Sequence, residues 1–384
     1  MKIIINVLCC IFIISIISGC SEKKMETTTE IIKIDYKNEI SSDSSLTTNY
    51  FKNRRLIKLE TNDESLISTI NRLIVFENNY FIFDENTQSI YKFNKVGKYI
   101  SKIHRIGHGP GEYVNIIDFT IDIKKKQIIV LSNKPNALIY FDLDFNFLKQ
   151  IKNKKAEYYK YISIDQSSIY LTNLLDNGNY VSINSGSNHS EFLPIENFIK
   201  KKRSYSLHPN IIKSDYTYFF KVYDNIVYEL IDNSVLPKYQ IEFGDNTIKK
   251  SFIEENELRT IIQTCFEKKL IYRITDFREC NNYLTFGMGT GHKIVIYSKK
   301  EKISELFSHF YDPETGLYLS KIIGYDGPGD KMMFIVRARS FIGSVLHNKN
   351  ADKLKQNKTY TQYKEIANKL TPTDNPILMI YSLK

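Results

Sequence analysis

The sequence of 384 residues contains no tryptophan and only five cysteines. Two of them, Cys9 and Cys10, lie in an apolar N-terminal run, and Cys20 ends that run. Cys265 and Cys280 are the two that remain for the rest of the chain. An oxidising compartment would allow a disulfide between them, and the sequence leaves that pairing open. Because no His pair lies near either residue, the two thiols make a poor zinc site.

Recognisable catalytic and metal-binding motifs are also missing. The chain has no nucleophile elbow, phosphate loop, EF-hand loop or helical His-x-x-x-His pair. The one close pair among its seven histidines, His104 and His108, flanks a glycine-rich turn and does not lie on a helix. Asp142 and Asp144 fall in a hairpin turn, where Asp serves local hydrogen bonding. We therefore expect no metal and no cofactor, and nothing indicates catalysis.

The N-terminus predicts export and lipidation. Met1-Lys2 precedes a mostly apolar run, Ile3–Ile17, that is typical of a secretory signal. The run is short for a membrane span, which needs about 20 apolar residues. It ends in Ile17-Ser18-Gly19-Cys20, which resembles the bacterial lipobox. We predict a lipoprotein signal peptide at residues 1–19 and an acylated Cys20; a plain signal peptide with an incidental cysteine is the alternative.

Residues 20–50 are rich in Ser, Thr, Glu, Lys and Asn and show little apolar periodicity, which predicts a lipidated flexible tether. Such an anchor places the protein in the cell envelope, attached to the outer membrane through its lipid. Ser21-Glu22 is similar to the acidic tag that sends some Bacteroidetes lipoproteins to the cell surface, whereas Lys23-Lys24 breaks that pattern. Periplasmic and surface-exposed placement therefore both stay open.

Composition favours one large all-β domain at residues 51–384. The chain has 27 Tyr and 23 Phe, and aromatic and β-branched residues favour strands. The net charge of +10 is spread along the chain, with lysine runs such as Lys124–Lys126 at turns. We interpret this charge as a solvated surface and expect no nucleic-acid partner.

Short runs of strand-forming residues recur six times. Their first residues are 48, 41, 49, 65 and 49 positions apart, which is the size of one four-stranded propeller blade. The runs are Tyr80–Asp84, Ile128–Ser132, Ile169–Asn173, Tyr218–Val222, Tyr283–Gly287 and Met332–Val336. The pattern predicts an all-β, six-bladed β-propeller of four-stranded blades.

The last blade has too little sequence for its own outer strand. Its closing segment, Pro376–Tyr381, resembles the third strand of the other blades, and we predict that Arg55–Leu59 supplies the fourth. A short helical insertion is expected at about 348–370, where apolar residues recur at helical spacing. A second short helix is expected at Glu254–Glu267.

Two motifs carry a resemblance to a known family. Gly107-His-Gly-Pro-Gly-Glu-Tyr113 follows the first blade, and Asp374-Asn375-Pro376 precedes the last apolar strand. In these features the chain resembles a Bacteroidetes family of six-bladed β-propeller lipoproteins with NHL-like architecture. The resemblance implies the fold and an envelope location, and it implies no activity, since most members have none assigned.

The first motif is the best candidate binding site. Gly107, Gly109, Pro110 and Gly111 form a turn that would let a ligand approach the backbone. The side chains available to bind it are Arg105, His108, Glu112 and Tyr113. The alternative is a structural turn between blades, with Glu112 capping backbone amides. A similar stretch, Asp326-Gly-Pro-Gly-Asp330, is expected to be a plain turn.

These observations favour a non-catalytic lipoprotein whose propeller binds a glycan, a peptide or an envelope protein, and which acts as a monomer. The rival hypothesis is a lyase or hydrolase with its site at the central channel. Clustered acids and arginines with shifted pKa values in that channel would favour the enzyme. A third hypothesis is an envelope assembly factor that uses blade edges or the 348–370 insertion as a docking element. An exposed apolar face on that insertion would support it.

Overall fold

The computed structural model describes residues 29–35, 39–40, 47–153, 155, 159–173, 178–202, 210–289, 293–320 and 325–384. In this part of the chain, small antiparallel sheets follow one another in sequence and the first strands of neighbouring sheets contact each other around an axis. The arrangement is a six-bladed β-propeller with a few short helices. The predicted fold class is confirmed.

Blades I to V each contribute four strands of their own, from the axis to the rim. Blade I consists of β3 (Arg72–Phe76), β4 (Asn79–Asp84), β5 (Ser89–Phe93) and β6 (Tyr99–Ile103). Blade II consists of β7 (Asn115–Asp122), β8 (Gln127–Lys134), β9 (Asn136–Asp142) and β10 (Phe147–Lys152). Blade III consists of β11 (Tyr159–Asp165), β12 (Ser168–Asn173), β13 (Asn179–Ser185) and β14 (Asn188–Pro194). Blade IV consists of β15 (Ile211–Lys213), β16 (Thr217–Phe220), β17 (Ile226–Ile231) and β18 (Ser234–Glu242). Blade V consists of β19 (Ile274–Glu279), β20 (Tyr283–Met288), β21 (Lys293–Ser298) and β22 (Ile303–Phe307).

The apolar runs are continuous because each sheet is covered on both faces. In β8, Ile128 and Val130 pack in a cluster shared with blade I. Ile129 and Leu131, on the opposite face, pack in a cluster shared with blade III. All four side chains are buried. Alternate residues of one strand thus hold two neighbouring blades together.

Blade VI is completed by the N-terminal part of the domain. Its middle strands, β26 (Lys331–Val336) and β27 (Ile377–Leu383), pair with each other, and β2 (Phe51–Lys58) pairs antiparallel with the outer edge of β27. The register runs from Phe51 opposite Leu383 to Lys58 opposite Ile377. The predicted closure of the ring by an N-terminal strand is confirmed. A short β25 (Tyr325–Asp326) pairs parallel with β3 of blade I, and a hairpin of β23 (Phe310–Asp312) and β24 (Leu317–Leu319) precedes it.

The structure departs from the tether prediction in three described stretches of residues 20–50, which contact or lead into the propeller. We call residues 29–35, 39–40 and 47–50 the strap. In it, β1 (Glu30–Lys33) pairs parallel with the outer edge of β18, and the Ile40 amide donates to the Leu306 carbonyl of blade V at 2.8 Å. The helix α1 (Thr47–Tyr50) then leads into β2. The strap forms because Ile32 and Ile34, 0% and 5% exposed, cover an otherwise open strand edge.

The helical insertion in blade VI begins ten residues before the expected 348. It comprises α5 (Ala338–Leu346) and α6 (Lys358–Asn368). Ala338, Phe341 and Val345 recur at helical spacing and are buried, so the helical pattern begins at residue 338. The insertion packs its apolar residues into the same cluster as Phe334 of β26, so that face is covered by the blade.

The remaining helices lie between blades. The expected helix at Glu254–Glu267 is present as α3 (Lys250–Glu255) and α4 (Leu258–Glu267), and α2 (Asn197–Lys202) follows β14. Cys265 and Cys280 are both free thiols. Among the described residues, no helix has the length and apolar character needed to cross a membrane.

Replacing Ile32 with Ala tests whether the strap belongs to the domain. Ile32→Ala should lower the free energy of unfolding by about 2–4 kcal/mol, because a buried isoleucine loses its contacts and leaves a cavity. Ile31→Ala is the matched control: Ile31 is 53% exposed, and its loss should change stability by less than about 0.5 kcal/mol. Urea titration of the mature chain measures both. Equal, small effects would contradict the strap.

Candidate functional site

The axis of the propeller is filled by a network of charged side chains. Arg72 of β3 lies 2.8 Å from Asp326 of β25 and 3.5 Å from Asp118 of β7. Asp118 accepts a hydrogen bond from the Ile162 amide of blade III at 2.9 Å, and Asp326 accepts one from the Lys213 amide of blade IV at 3.0 Å. These contacts connect blades I to IV with β25 at the axis.

Arg278 of β19 joins the fifth blade to the same network. We call residues 325–329 the plug. Arg278 donates to the carbonyls of Gly327 at 2.7 Å and Pro328 at 3.1 Å, and its guanidinium lies 3.8 Å from the centre of the Tyr325 ring. A Cβ on Gly329 would stand 2.1 Å from the Glu279 carbonyl oxygen, so only glycine fits there. The expectation of a plain turn at Asp326–Asp330 was wrong, since this stretch crosses the axis.

The side chains of the network are almost completely buried. Arg72, Asp118 and Arg278 are 1–2% exposed, and Asp326 is 5% exposed. Burial raises the pKa of Asp118 to about 6, although the Arg72 guanidinium acts in the opposite direction. Acids and arginines do cluster in the channel, as the enzyme hypothesis required. They pair with one another or with backbone carbonyls of the plug.

The sequence-predicted site, residues 105–113, connects β6 of blade I to β7 of blade II. The Gly107 amide donates to the Tyr113 carbonyl at 3.0 Å, and the Glu112 carboxylate accepts from the Gly109 amide at 2.8 Å. Arg105 donates to the Phe145 carbonyl at 3.0 Å. The Tyr113 hydroxyl donates to the Gln88 carbonyl at 2.9 Å.

The glycines of this loop are required by close contacts. A Cβ on Gly107 would meet the Glu112 carboxylate at 2.1 Å, and one on Gly111, whose φ is +76°, would meet the Phe147 ring at 2.5 Å. Pro110 and His108 are exposed, whereas Tyr113 is fully buried. The polar groups of Arg105, Glu112 and Tyr113 are therefore engaged within the protein. The geometry supports the structural-turn interpretation, and a binding role for these residues stays a prediction.

A cleft of about 560 Å³ lies where blade VI meets blade I, and we call it the seam cleft. The cleft lies next to the apolar cluster that these two blades share, and the β3–β4 turn at Glu77-Asn78 forms part of its lining. Both turn residues have positive φ, as a two-residue hairpin turn requires. The cleft is lined by Asn53, Arg54, Arg55, Val75, Glu77, Asn78, Tyr80, Tyr325, Pro328, Lys331, Met333, Ile380 and Ser382.

The floor of the seam cleft is apolar and its rim is polar. Val75, Met333, Ile380 and the rings of Tyr80 and Tyr325 are the apolar elements, whereas the residues from β2 and the β3–β4 turn supply charge and hydrogen-bonding groups. A volume between about 300 and 1,000 Å³ with a mostly apolar lining is typical of small-molecule sites. The seam cleft therefore has the size and lining to hold a small molecule.

Sequence reasoning missed the seam cleft because its lining comes from four separated stretches of chain. Residues 53–55, 75–80, 325–333 and 380–382 meet only when the ring closes. The one available signal was the charge of Arg55, the first residue of the predicted closing strand, and of Arg54 just before it. Of the other predicted features, Cys20 lies outside the described residues. No group of three acids, His or Cys that could hold a metal occurs in the described part of the chain.

The fold and the closed axis define the class, a six-bladed β-propeller. Residues 30–382 match the family described as Domain of unknown function (DUF4934), and the chain belongs to that family. The match begins at residue 30, the first residue of β1, so the family match includes the strap as well as the propeller. No curated protein matches the sequence.

Solved structures show the same fold. A protein of Bacteroides fragilis described as a candidate exported protein is 17% identical, with a TM-score of 0.69 over 92% of this chain and 99% of that one. A DUF4221 member from Bacteroides vulgatus is 10% identical, with a TM-score of 0.48 over 87% and 97% of the two chains. Virginiamycin B lyase from Staphylococcus aureus is 12% identical, with a TM-score of 0.43 over 84% and 82%. The TM-scores of the last two structures are below 0.5, so these two are only distantly similar to this chain.

Removing the cation at the axis tests the structural role of the network. Arg72→Met leaves Asp118 and Asp326 buried without their partner, and it should lower the free energy of unfolding by about 3–5 kcal/mol near neutral pH. In this variant the two carboxyl groups bind protons more tightly in the folded chain than in the unfolded one. The deficit should therefore shrink as the pH falls from about 7 to about 5.

Urea titrations across that pH range measure the effect. The exposed Arg259 on α4 offers the control, Arg259→Met, which should change stability by less than about 0.5 kcal/mol at every pH. A deficit for Arg72→Met that stays constant with pH, or that matches the control, would contradict the proposed ion pairs.

Proposed function

We propose that this protein is an exported, lipid-anchored propeller of the cell envelope that binds a small ligand in the seam cleft and does not act as an enzyme. The observation that carries the binding role is the seam cleft itself, a site with an apolar floor and a charged rim between blades I and VI. The axis is not the proposed ligand site, because Arg72, Asp118 and Arg278 are almost completely buried there.

The envelope location is supported by two observations. The motif Ile17-Ser18-Gly19-Cys20 is similar to a lipobox, and the Bacteroides fragilis protein with the same fold is described as a candidate exported protein. Because the strap begins at residue 29, Cys20 and the first residue of the strap are nine positions apart in the sequence. Nine residues span at most about 30 Å, so a lipid at Cys20 would hold the rim of blade IV close to the membrane.

The choice of partner follows from the size of the cleft. At about 560 Å³ it suits a small molecule or one short side chain of a peptide better than a folded partner. Among the expected partners, a glycan or an envelope protein would need a broader surface. The lyase or hydrolase hypothesis is not favoured, because its expected site at the axis is filled by the plug.

Intact-mass measurement of protein extracted from the membranes of its native host tests the proposal. The mature wild-type chain should begin at Cys20 and carry the mass of a diacylglycerol, and Cys20→Ser should keep its signal and lose the lipid. A wild-type chain that begins elsewhere and carries no lipid would contradict the anchor.

Native mass spectrometry of the same preparation tests the binding role. Wild-type protein should carry a small-molecule adduct. Ser382→Trp, which places an indole in the seam cleft, should lose it. Ser187→Trp, in the exposed turn between β13 and β14, is the matched control and should keep the adduct. The same adduct on both tryptophan variants would place binding elsewhere and contradict the proposal.

A further inference from the structure

The charges on the rim of the seam cleft are not all balanced. Arg54 pairs with Asp312 at 3.1 Å and with Glu314, and Glu77 pairs with Lys126 at 2.7 Å. Lys331 lies 3.8 Å from Asp330. These ions are compensated by partners within the protein.

Arg55 is different, because no acid pairs with it in the described part of the chain. Its guanidinium donates a hydrogen bond to the Lys95 carbonyl, an uncharged acceptor. Arg55 lies on β2 opposite Ile380, which belongs to the floor of the cleft. The seam cleft therefore carries one uncompensated positive charge at its edge.

A second unmatched group lies on the floor. The Tyr80 side chain is only 3% exposed and lines the cleft, and no hydrogen bond to its hydroxyl is formed by the described residues. The hydroxyl oxygen is not itself buried, so it stays accessible from the cleft. Burial raises the pKa of Tyr80, and the nearby charge of Arg55 acts in the opposite direction, so the phenol is a neutral donor at physiological pH. The hydroxyl can therefore donate to an oxygen acceptor on a ligand in the cleft, and such a hydrogen bond contributes about 0.5–1.5 kcal/mol.

The rest of the floor fits an apolar body. Val75, Met333 and Ile380 offer aliphatic surface, and the ring of Tyr325 closes the end nearest the plug. The thioether of Met333 adapts to different shapes. Nothing charged faces this part of the cleft among its lining residues, because the ionic side chains come from β2, the β3–β4 turn and the start of β26.

We infer that the seam cleft binds an amphipathic anion, with a single carboxylate, sulfonate or phosphate group at Arg55 and Tyr80 and an apolar body against Met333 and Ile380. This inference rests on the proposed binding function and adds the chemistry of the ligand. It depends on charge complementarity at one cation and on one unmatched donor.

Two fluorescent probes that differ in one group test the inference on the folded, mature protein. They are 1-anilinonaphthalene-8-sulfonate and its uncharged parent, N-phenyl-1-naphthylamine. Arg55→Gln should weaken binding of the sulfonate about tenfold or more, because an ionic hydrogen bond is lost, and should change binding of the neutral probe less than about twofold. Tyr80→Phe should weaken the sulfonate about threefold and spare the neutral probe.

Two controls separate the inference from the proposed function. Lys152→Gln removes the same charge from an exposed position on β10 and should leave both probes unaffected. Ser382→Trp should abolish binding of both probes. Equal weakening of both probes by Arg55→Gln, or none of either, would overturn the inference while leaving the cleft as a binding site. Unchanged binding of both probes to Ser382→Trp, or no binding to the wild type, would overturn the proposed function itself.

Discussion

The pairing of β2 with β27 is the constraint on which the rest of the structure depends. A propeller is a ring, and its last blade must meet its first without a covalent bond between them. Here the chain ends solve this by sharing one sheet, with register from Phe51–Leu383 to Lys58–Ile377. The strap precedes this pairing in the chain, and it contacts blade IV through β1 and blade V through Ile40 before α1 leads into β2. The seam cleft follows as well, since β2 supplies three of its rim residues.

The second constraint acts at the axis. Inner strands of a ring converge, and their polar backbone and side-chain groups need partners away from water. The network of Arg72, Asp118, Asp326 and Arg278 supplies them and links side chains or amides of blades I to V with β25 and the plug. Buried ion pairs contribute little net stability, but removal of one partner is costly. A cluster of acids and arginines is therefore consistent with a structural role when every member is buried and paired.

Much of the fold was predictable from the sequence because it depends on local periodicity. The apolar runs predicted six blades, and the missing outer strand of the last blade predicted closure by residues 55–59, within β2 and just beyond it. The strap was missed because β1 has only four residues and its Ile31-Ile32-x-Ile34 pattern lies in a polar stretch. The start of α5 was missed because it follows β26 after a single residue.

The candidate site was less predictable, for a physical reason. Residues 105–113 form a loop with local hydrogen bonds, and their motif was visible in the sequence, where both a binding and a structural role were open. The plug and the seam cleft are built from residues more than 200 positions apart, such as Arg72 with Asp326 and Tyr80 with Ile380. One sequence gives no sign of such proximity until the ring is closed. The most informative features for function thus lie where the two ends of the chain meet.

Hydrogen–deuterium exchange of the mature protein tests the closure of the ring most directly. The amides of 51–58 that bond to β27 should be as protected as the amides of 377–383, and both sets should lose protection in a single step as denaturant is added. The internal strand β21 of blade V provides the reference for a fully paired strand. Exchange of 51–58 at the rate of an unstructured peptide, while 377–383 stays protected, would contradict the account.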